Sequence, residues 1–362
     1  MASSLVIQGG HDALQHLREK GFQQEDVKAM LGASGGPKWF ALAGLDKALL
    51  GVTFKDRTSP LHLLGTSAGC WRFTCYSQND PLAALQRFED SYITHSYSEM
   101  PTASGITREV KRTLSDIFNG NGAREILSNP VIRLNLIAVQ AHGLIDNANA
   151  KIQGAGLLLS AAANAVSRNM LGKFYTRIVF THPGGGLPVI GWNDLPTKTI
   201  ALSEQNLEDA VLASGSIPVF LEGVRDIEGA GQGLYLDGGV TDYHFDLPML
   251  PEDGLVLYPH FRERPIPGWF DKYLGWRIPS TDNYRRTLIV SPSSEFVARL
   301  PYGKIPDRKD FQTLDDTTRQ KYWRKVVAET DRLGEEWLNL VENNRLAEVT
   351  KPLSFISKAR PR

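Results

Sequence analysis

The residues with the clearest chemical use stand where the apolar run His62-Leu63-Leu64 ends in Gly65-Thr66-Ser67-Ala68-Gly69. This is a G-x-S-x-G sequence, with strand-like residues before it and helix-compatible residues after it, the setting of a nucleophile elbow. In that setting a strand delivers Ser67 to a sharp turn and leaves its Oγ exposed at the C-terminal end of the strand. Gly65 and Gly69 carry no Cβ, so strand and helix can approach closely. The amide of Ala68 then faces the oxyanion that forms when Ser67 attacks an acyl group. The same pattern also fits a structural turn around a buried serine, so its partners decide the reading.

A second stretch could supply such a partner. Val27 to Leu31 is a short apolar piece, followed by Gly32-Ala33-Ser34-Gly35-Gly36-Pro37-Lys38-Trp39-Phe40, and Phe40 to Leu50 is apolar at helical spacing. Strand, glycine-rich loop and helix together aim backbone N–H groups at an anion. The loop lacks both the G-x-G-x-x-G spacing and the G-K-[ST] ending of the nucleotide loops. Half of an oxyanion hole needs only two amides, and Gly35 and Gly36 have them, while Pro37 has none and begins the helix. A tight strand-to-helix turn is the plainer alternative. Third, the short strand Leu234-Tyr235-Leu236 ends in Asp237-Gly238-Gly239.

The elements that must position these residues alternate between strand and helix. His11 to Met30 reads as a helix. Leu82 to Asn119 is mostly helical, Val131 to Val139 is a strand, and Leu207 to Ala213 is a helix. Thr176 to Thr181 and Leu187 to Trp192 read as a hairpin closed by His182-Pro183-Gly184-Gly185-Gly186. Leu255 to Tyr258 and Arg286 to Val290 are further strands. Pro265 to Pro279 is a long loop, and Asp316 to Leu346 is one long amphipathic helix. Gly154 to Val166 is small and apolar, which fits a buried helix or a lipid-facing lid. The alternation predicts an α/β fold with a largely parallel sheet, and the three loops then share one edge of it. No linker divides the chain, so residues 1–362 are expected to form a single domain.

Composition narrows the function classes. Of 362 residues, 42% are apolar and 22% charged, which is ordinary globular usage. Forty basic and forty acidic residues cancel, so bulk charge points to no nucleic acid partner. The two cysteines, Cys70 and Cys75, offer neither a disulfide framework nor a metal cluster, and no cofactor motif appears. The first residues lack a signal peptide pattern, and no stretch has the apolar length of a membrane span, so the expected location is cytoplasmic.

Taken together, Ser34-Gly35-Gly36-Pro37-Lys38-Trp39, Gly65-Thr66-Ser67-Ala68-Gly69 and Asp237-Gly238-Gly239 resemble, in that order, the three motifs of the patatin-like phospholipase family. Those are G-G-G-x-[RK]-G, G-x-S-x-G and D-G-[GA]. Ala213-Ser214-Gly215-Ser216-Ile217-Pro218 resembles the family's A-S-x-A-x-P segment, and the resemblance covers residues 27–245, leaving 246–362 as an extension packed on it. Ser34 and Trp39 replace the outer glycines of the first motif. Tyr243 and Phe245 stand where many relatives continue D-G-G-x-x-x-N-x-P.

The resemblance implies a three-layer fold, lipid or acyl-ester substrates, transient contact with a membrane surface, and a Ser–Asp dyad. Ser67 is then the nucleophile, Asp237 the base, and Gly35, Gly36 and Ala68 the oxyanion donors. Gly65, Gly69, Gly238 and Gly239 support the turns. Lys38 holds the loop, faces an anionic head group or is simply solvated. The expected reaction is hydrolysis of a carboxylic ester through an acyl-enzyme. Acyl transfer to an alcohol and an idle lipid- or partner-binding module are the alternatives. A Ser–His–Asp triad remains open on numbers, with His244 and His260 following Asp237.

Overall fold

The computed structural model describes residues 3–96, 102–189, 191–249, 251 and 253–355. Among them eleven strands join one sheet. They are β1 (Leu5–Gly9), β2 (Val27–Gly32), β3 (Leu61–Gly65), β4 (Ile132–Ala141), β5 (Tyr175–Thr181), β6 (Thr197–Ala201), β7 (Val224–Arg225), β8 (Leu234–Asp237), β9 (Leu255–Pro259), β10 (Thr287–Pro292) and β11 (Lys351–Pro352). The main path runs β11-β1-β10-β9-β2-β3-β4-β5-β6. From β10 through β4 every neighbouring pair is parallel. Every residue of β3 and of β9 is buried, as a parallel sheet covered on both faces requires.

Successive residues point to opposite faces. Met30, Leu63, Leu136 and Leu257 join the larger core, with Phe73, Phe88, Trp323 and Trp337 from the helices. Leu31, Leu64, Ile137 and Val256 point the other way, onto Phe245, Phe261 and Tyr284. The result is the expected α/β fold, a mostly parallel central sheet flanked by helices. The residues after 245 enter the sheet itself, since β9 and β10 lie between β1 and β2.

Three sequence expectations are corrected. The first helix spans His11–Lys20 and stops at Gly21, whose φ of 73° breaks it before β2. The hairpin after Thr176 does not form. β5 pairs with β4 and, in parallel, with β6, while beyond the glycine loop Val189 makes only an isolated bridge to Met249. Arg133 Nη1 donates to the carbonyls of Gly184 and Gly185, both at 3.0 Å, and leads the loop away from β5. Residue 190, within the second expected strand, lies outside the described residues. The long terminal helix is three, Asp316–Glu329, Asp331–Glu342 and Leu346–Val349. Its first break falls at Thr330, whose Oγ1 accepts from the Gly44 amide at 2.9 Å and so pins the break to a neighbouring helix.

Candidate active site

Ser67 stands between β3 and the helix Ala68–Tyr76 with φ 52° and ψ −129°, a left-handed conformation that costs about 1–3 kcal/mol and persists only where the surroundings enforce it. Here the Ser67 amide donates to the carbonyl of Ser214 at 3.0 Å and to its Oγ at 3.1 Å. The helix also crosses β2 so closely that a Cβ on Gly69 would collide with the Gly32 carbonyl. The sequence placed Ser67 on an exposed tip. The structure leaves it 4% exposed, on the floor of a cavity.

Asp237 reaches Ser67 from an unexpected side. β4 is long enough to pair twice along one edge. Its first half pairs in parallel with β3, up to Gly65 against Leu136. Its second half pairs antiparallel with β8, starting at Asp237 against Ala138. The two strands therefore run head-on, and Asp237 does not share a parallel edge with the other two loops. Ser67 Oγ donates to Asp237 Oδ2 at 2.8 Å, and the Gly239 amide donates to Oδ1 at 2.7 Å. The Asp237 amide donates to Ser216 O at 2.8 Å, so the segment 214–216 holds both residues. Gly238 passes so close to the Ile137 carbonyl that a Cβ there would clash. Burial pushes the Asp237 carboxyl above its usual range, and the hydrogen bonds from Ser67 and Gly239 only partly offset this.

Five residues on, Asp242 anchors the same loop. Arg177 donates to both its carboxylate oxygens, at 2.7 and 2.8 Å, and to both oxygens of Asp194, at 2.8 and 3.0 Å. Arg168 adds bonds to Asp194 at 3.1 Å and to Thr241 O at 2.8 Å. Burial alone would push Asp194 up, but Arg177 and then Arg168 outweigh it and hold this carboxyl well below the ordinary range. The sequence reading missed these residues. The available signal was a charged Arg177 inside an otherwise apolar strand, which demands buried acidic partners.

The glycine loop is tied to both. The Ser34 amide donates to Tyr243 O at 3.0 Å, Ser34 Oγ meets Thr66 Oγ1 at 2.8 Å, and Thr66 Oγ1 donates to Asp242 O at 3.0 Å. Gly35 and Gly239 line the cavity, and Gly36, at φ 55°, and Ala68 follow directly on the lining residues Gly35 and Ser67. Among the described residues, nothing accepts a hydrogen bond from the amides of Gly35, Gly36 or Ala68. Lys38 lines the cavity and ion-pairs with Asp307. His244 and His260 line none of it. Both are fully buried, and their Nδ1 atoms accept from the amides of Ile266 at 2.9 Å and Arg262 at 3.0 Å. Burial and surrounding positive charge push both imidazoles down, His260 to about 3, so both are neutral at pH 7.

The cavity measures about 120 Å³ and is also lined by Ile217, Pro218, Tyr243, Trp269, Lys272 and Arg308. No residue of 154–166 lines it. Among the described residues no helix is long and apolar enough to cross a membrane, and no cluster of three or more acidic, histidine or cysteine side chains could hold a metal.

A mostly parallel α/β sheet with a strained serine elbow against a buried aspartate defines the class. The family model described as patatin-like phospholipase matches residues 33–244, and the chain belongs to that family. Membership supports lipid acyl hydrolase chemistry in general. Among solved structures, VipD from Legionella pneumophila is similar at 14% identity and a TM-score of 0.32, over 65% of this chain and 50% of its own. The chain thus spans half the length of that protein. No curated protein matches it.

Proposed function

We propose that this protein is a serine carboxylic ester hydrolase that cleaves acyl esters of lipids with Ser67 and Asp237 alone. The observation that carries this reading is the 2.8 Å hydrogen bond from Ser67 Oγ to Asp237 Oδ2 in a site that no histidine lines. Ser67 Oγ attacks the ester carbonyl carbon while its proton passes to Asp237 Oδ2. The oxyanion is received by the amides of Gly35, Gly36 and Ala68. Collapse breaks the bond to the alcohol, which takes the proton from Asp237. Water then attacks the acyl-enzyme and gives its proton to Asp237; collapse breaks the bond to Ser67 Oγ, which takes that proton back as the carboxylic acid leaves. An ordinary aspartate, with a pKa near ~4, is a weak base for a hydroxyl. Burial without a directly paired cation makes Asp237 a stronger one.

The substrate is met at a lipid surface. The helix Ala150–Val166 buries Gln153, Gly156, Ser160 and Asn164, and leaves Leu158 and Val166 at 74% and 80% exposed. Its apolar side faces outward, the reverse of a helix that packs on a core. Gln153 Oε1 accepts from the Val219 amide at 2.7 Å, which ties the helix to exposed Phe220 beside the cavity residues Ile217 and Pro218. A long acyl chain that leaves the small cavity there stays in an apolar setting. We also read the chain as one functional unit, because β9 and β10 complete the sheet on which the site rests.

The test is labelling with a fluorophosphonate followed by a panel of lipid esters. The expected outcome is label on Ser67 alone and release of free acid without added alcohol. Label on Ser34, Ser214 or Ser216, or turnover only when an alcohol acceptor is added, would overturn the assignment.

A further inference from the structure

Four of the cavity-lining residues come from outside the family-matched segment. Trp269 and Lys272 lie on one short 3-10 helix, Trp269–Tyr273, and Asp307 and Arg308 on a loop. They face Lys38 of the glycine loop. Lys272 Nζ is turned in over Tyr243, 4.1 Å from the ring centroid, and lies 5.6 Å from that of Trp269. Arg308 reaches across to Gly36, where its guanidinium would block any Cβ. The three cations act on one another. Burial and then Arg308 push Lys38 down to about 8, and burial, Arg308 and Lys38 push Lys272 down to about 7. Arg262 adds positive potential from nearby.

One carboxylate, Asp307, pairs with Lys38. Among the described residues no carboxylate stands within ion-pair distance of Lys272 or Arg308. Gathering like charges beside a cavity is unfavourable unless something supplies the opposite charge. We infer that the cavity recognises a phosphate monoester carried by the alcohol part of the acyl ester, held between Lys38, Lys272 and Arg308. The assignment rests on the ester-hydrolase reading above.

Charge favours the monoester. The lining holds three cations, Lys38, Lys272 and Arg308, against two carboxylates, Asp307 and Asp237, and Arg262 adds positive potential from nearby. Asp237 is engaged by Ser67 and Gly239 in the dyad, so Lys272 and Arg308 are left to take an anion, and a phosphate monoester brings the most charge to them, about −1.5 to −2 at pH 7. A phosphodiester carries a single charge, and a choline or ethanolamine ester cancels even that. Geometry agrees. A guanidinium takes two phosphate oxygens at once, while each ammonium acts as a point charge. A bound dianion also draws Lys272 back to its charged form. The class of substrate is therefore a monoacyl glycerol phosphate or a similar compact acyl ester.

Two measurements on the full chain test this. In the first, Ser67→Ala protein is titrated calorimetrically with glycerol 3-phosphate, inorganic phosphate and glycerol. Glycerol 3-phosphate should bind most tightly, and Lys272→Met or Arg308→Met should weaken it tenfold or more. Equal or tighter binding of inorganic phosphate overturns the head-group assignment in favour of a free-phosphate site, and binding of neither anion overturns the site itself. In the second, kcat/KM is compared for a monoacyl glycerol phosphate, a monoacylglycerol and a lysophosphatidylcholine of the same chain length. The phosphate monoester should lead. Its advantage over the neutral ester should fall tenfold or more in Lys272→Met, chiefly through KM, and stay put in Lys325→Met on the distant, exposed face of Asp316–Glu329. Equal losses on all three esters overturn the proposal. If no ester turns over and no phosphonate labels Ser67, the hydrolase reading fails, and the calorimetry still decides the phosphate site.

Discussion

The loop that runs from Asp237 to Asp242 carries a buried carboxylate at each end, and the two have opposite surroundings. Asp242 is clamped by Arg177 and reached by Arg168, with the Thr241 hydroxyl as its one neutral side-chain donor among the described residues. Asp237 has only a hydroxyl and an amide as donors, and the nearest cations act from a distance. The difference teaches how one short loop separates anchoring from proton transfer. A carboxylate saturated by guanidinium is fixed and non-basic. One buried without a paired cation keeps its affinity for a proton, and the rigid end holds the reactive end in place.

The sharpest test of that contrast is Asp237→Asn. Loss of a positioned base costs on the order of 10²–10⁴ in rate, so turnover should nearly vanish. Stability should move the other way. A carboxyl whose folded pKa is raised stabilises the fold below that pKa and loses this as pH rises through it. At pH 7 the neutral amide should therefore give a thermal midpoint equal to or above the parent's, with the gap closing as pH falls toward 4. A midpoint several degrees lower would remove Asp237 from the unpaired end. In the parent, the same raised pKa should set an acid limb in kcat/KM that lies above the ordinary carboxylate value of about 4.

At the anchored end, Arg177→Met strips buried Asp242 of its two closest charged donors and leaves it only Arg168, at 3.3 Å, and the Thr241 hydroxyl. Removing one partner of a buried pair costs about 3–5 kcal/mol, readable from urea denaturation. Asp194 adds a pH signature. Its lowered carboxyl contributes stability that is present above the unfolded value of about 3.9 and lost as pH falls below it, so the variant's deficit should shrink in acid. An unchanged midpoint in urea would break the comparison. Smaller still, His244→Ala and His260→Ala should keep turnover per folded molecule within about tenfold, ~1.4 kcal/mol, because neither ring reaches the dyad. A dead, well-folded histidine variant would restore the triad. Smallest of all, the double variant Leu158→Ser with Leu159→Ser should lose several-fold turnover on phospholipid vesicles and none on a short soluble ester. Equal rates on both would take the helix Ala150–Val166 away from the lipid surface.

What could be read from the sequence follows the local physics. Gly65, Ser67, Gly69 and the Asp237-Gly238-Gly239 turn were legible because close backbone approach restricts those positions to few residue types. The direction of β8 was not, since nothing in four residues tells which half of β4 will receive them. Arg177, Asp194 and Asp242 find one another only through tertiary pairing across 65 residues of chain. Lys272 and Arg308 read as ordinary surface charges until the cavity brings them together. Gly154 to Val166 reads from its apolar composition as a buried helix or as a lid or lipid-facing helix, and in the helix Ala150–Val166 the small and polar residues are the ones that pack. The false hairpin had the right glycine loop, but Arg133 binds that loop in a way no propensity encodes.

The interleaving of the sheet has a consequence for how the molecule is made. β2 must wait for β9, and β1 must wait for β10, whose Pro292 pairs with Leu5. On the ribosome, at roughly 5–20 residues per second, the first strand emerges tens of seconds before its partner. Late in that interval the nascent chain holds both Ser67 and Asp237 while β2 still has a bare edge, a template for pairing with the wrong chain. Long-range pairings of this kind fold slowly. Chaperone dependence during synthesis, and the aggregation of chains truncated before residue 255, are the expected signatures of a sheet whose inner strands β9 and β10 are translated after both of their outer neighbours, β1 and β2.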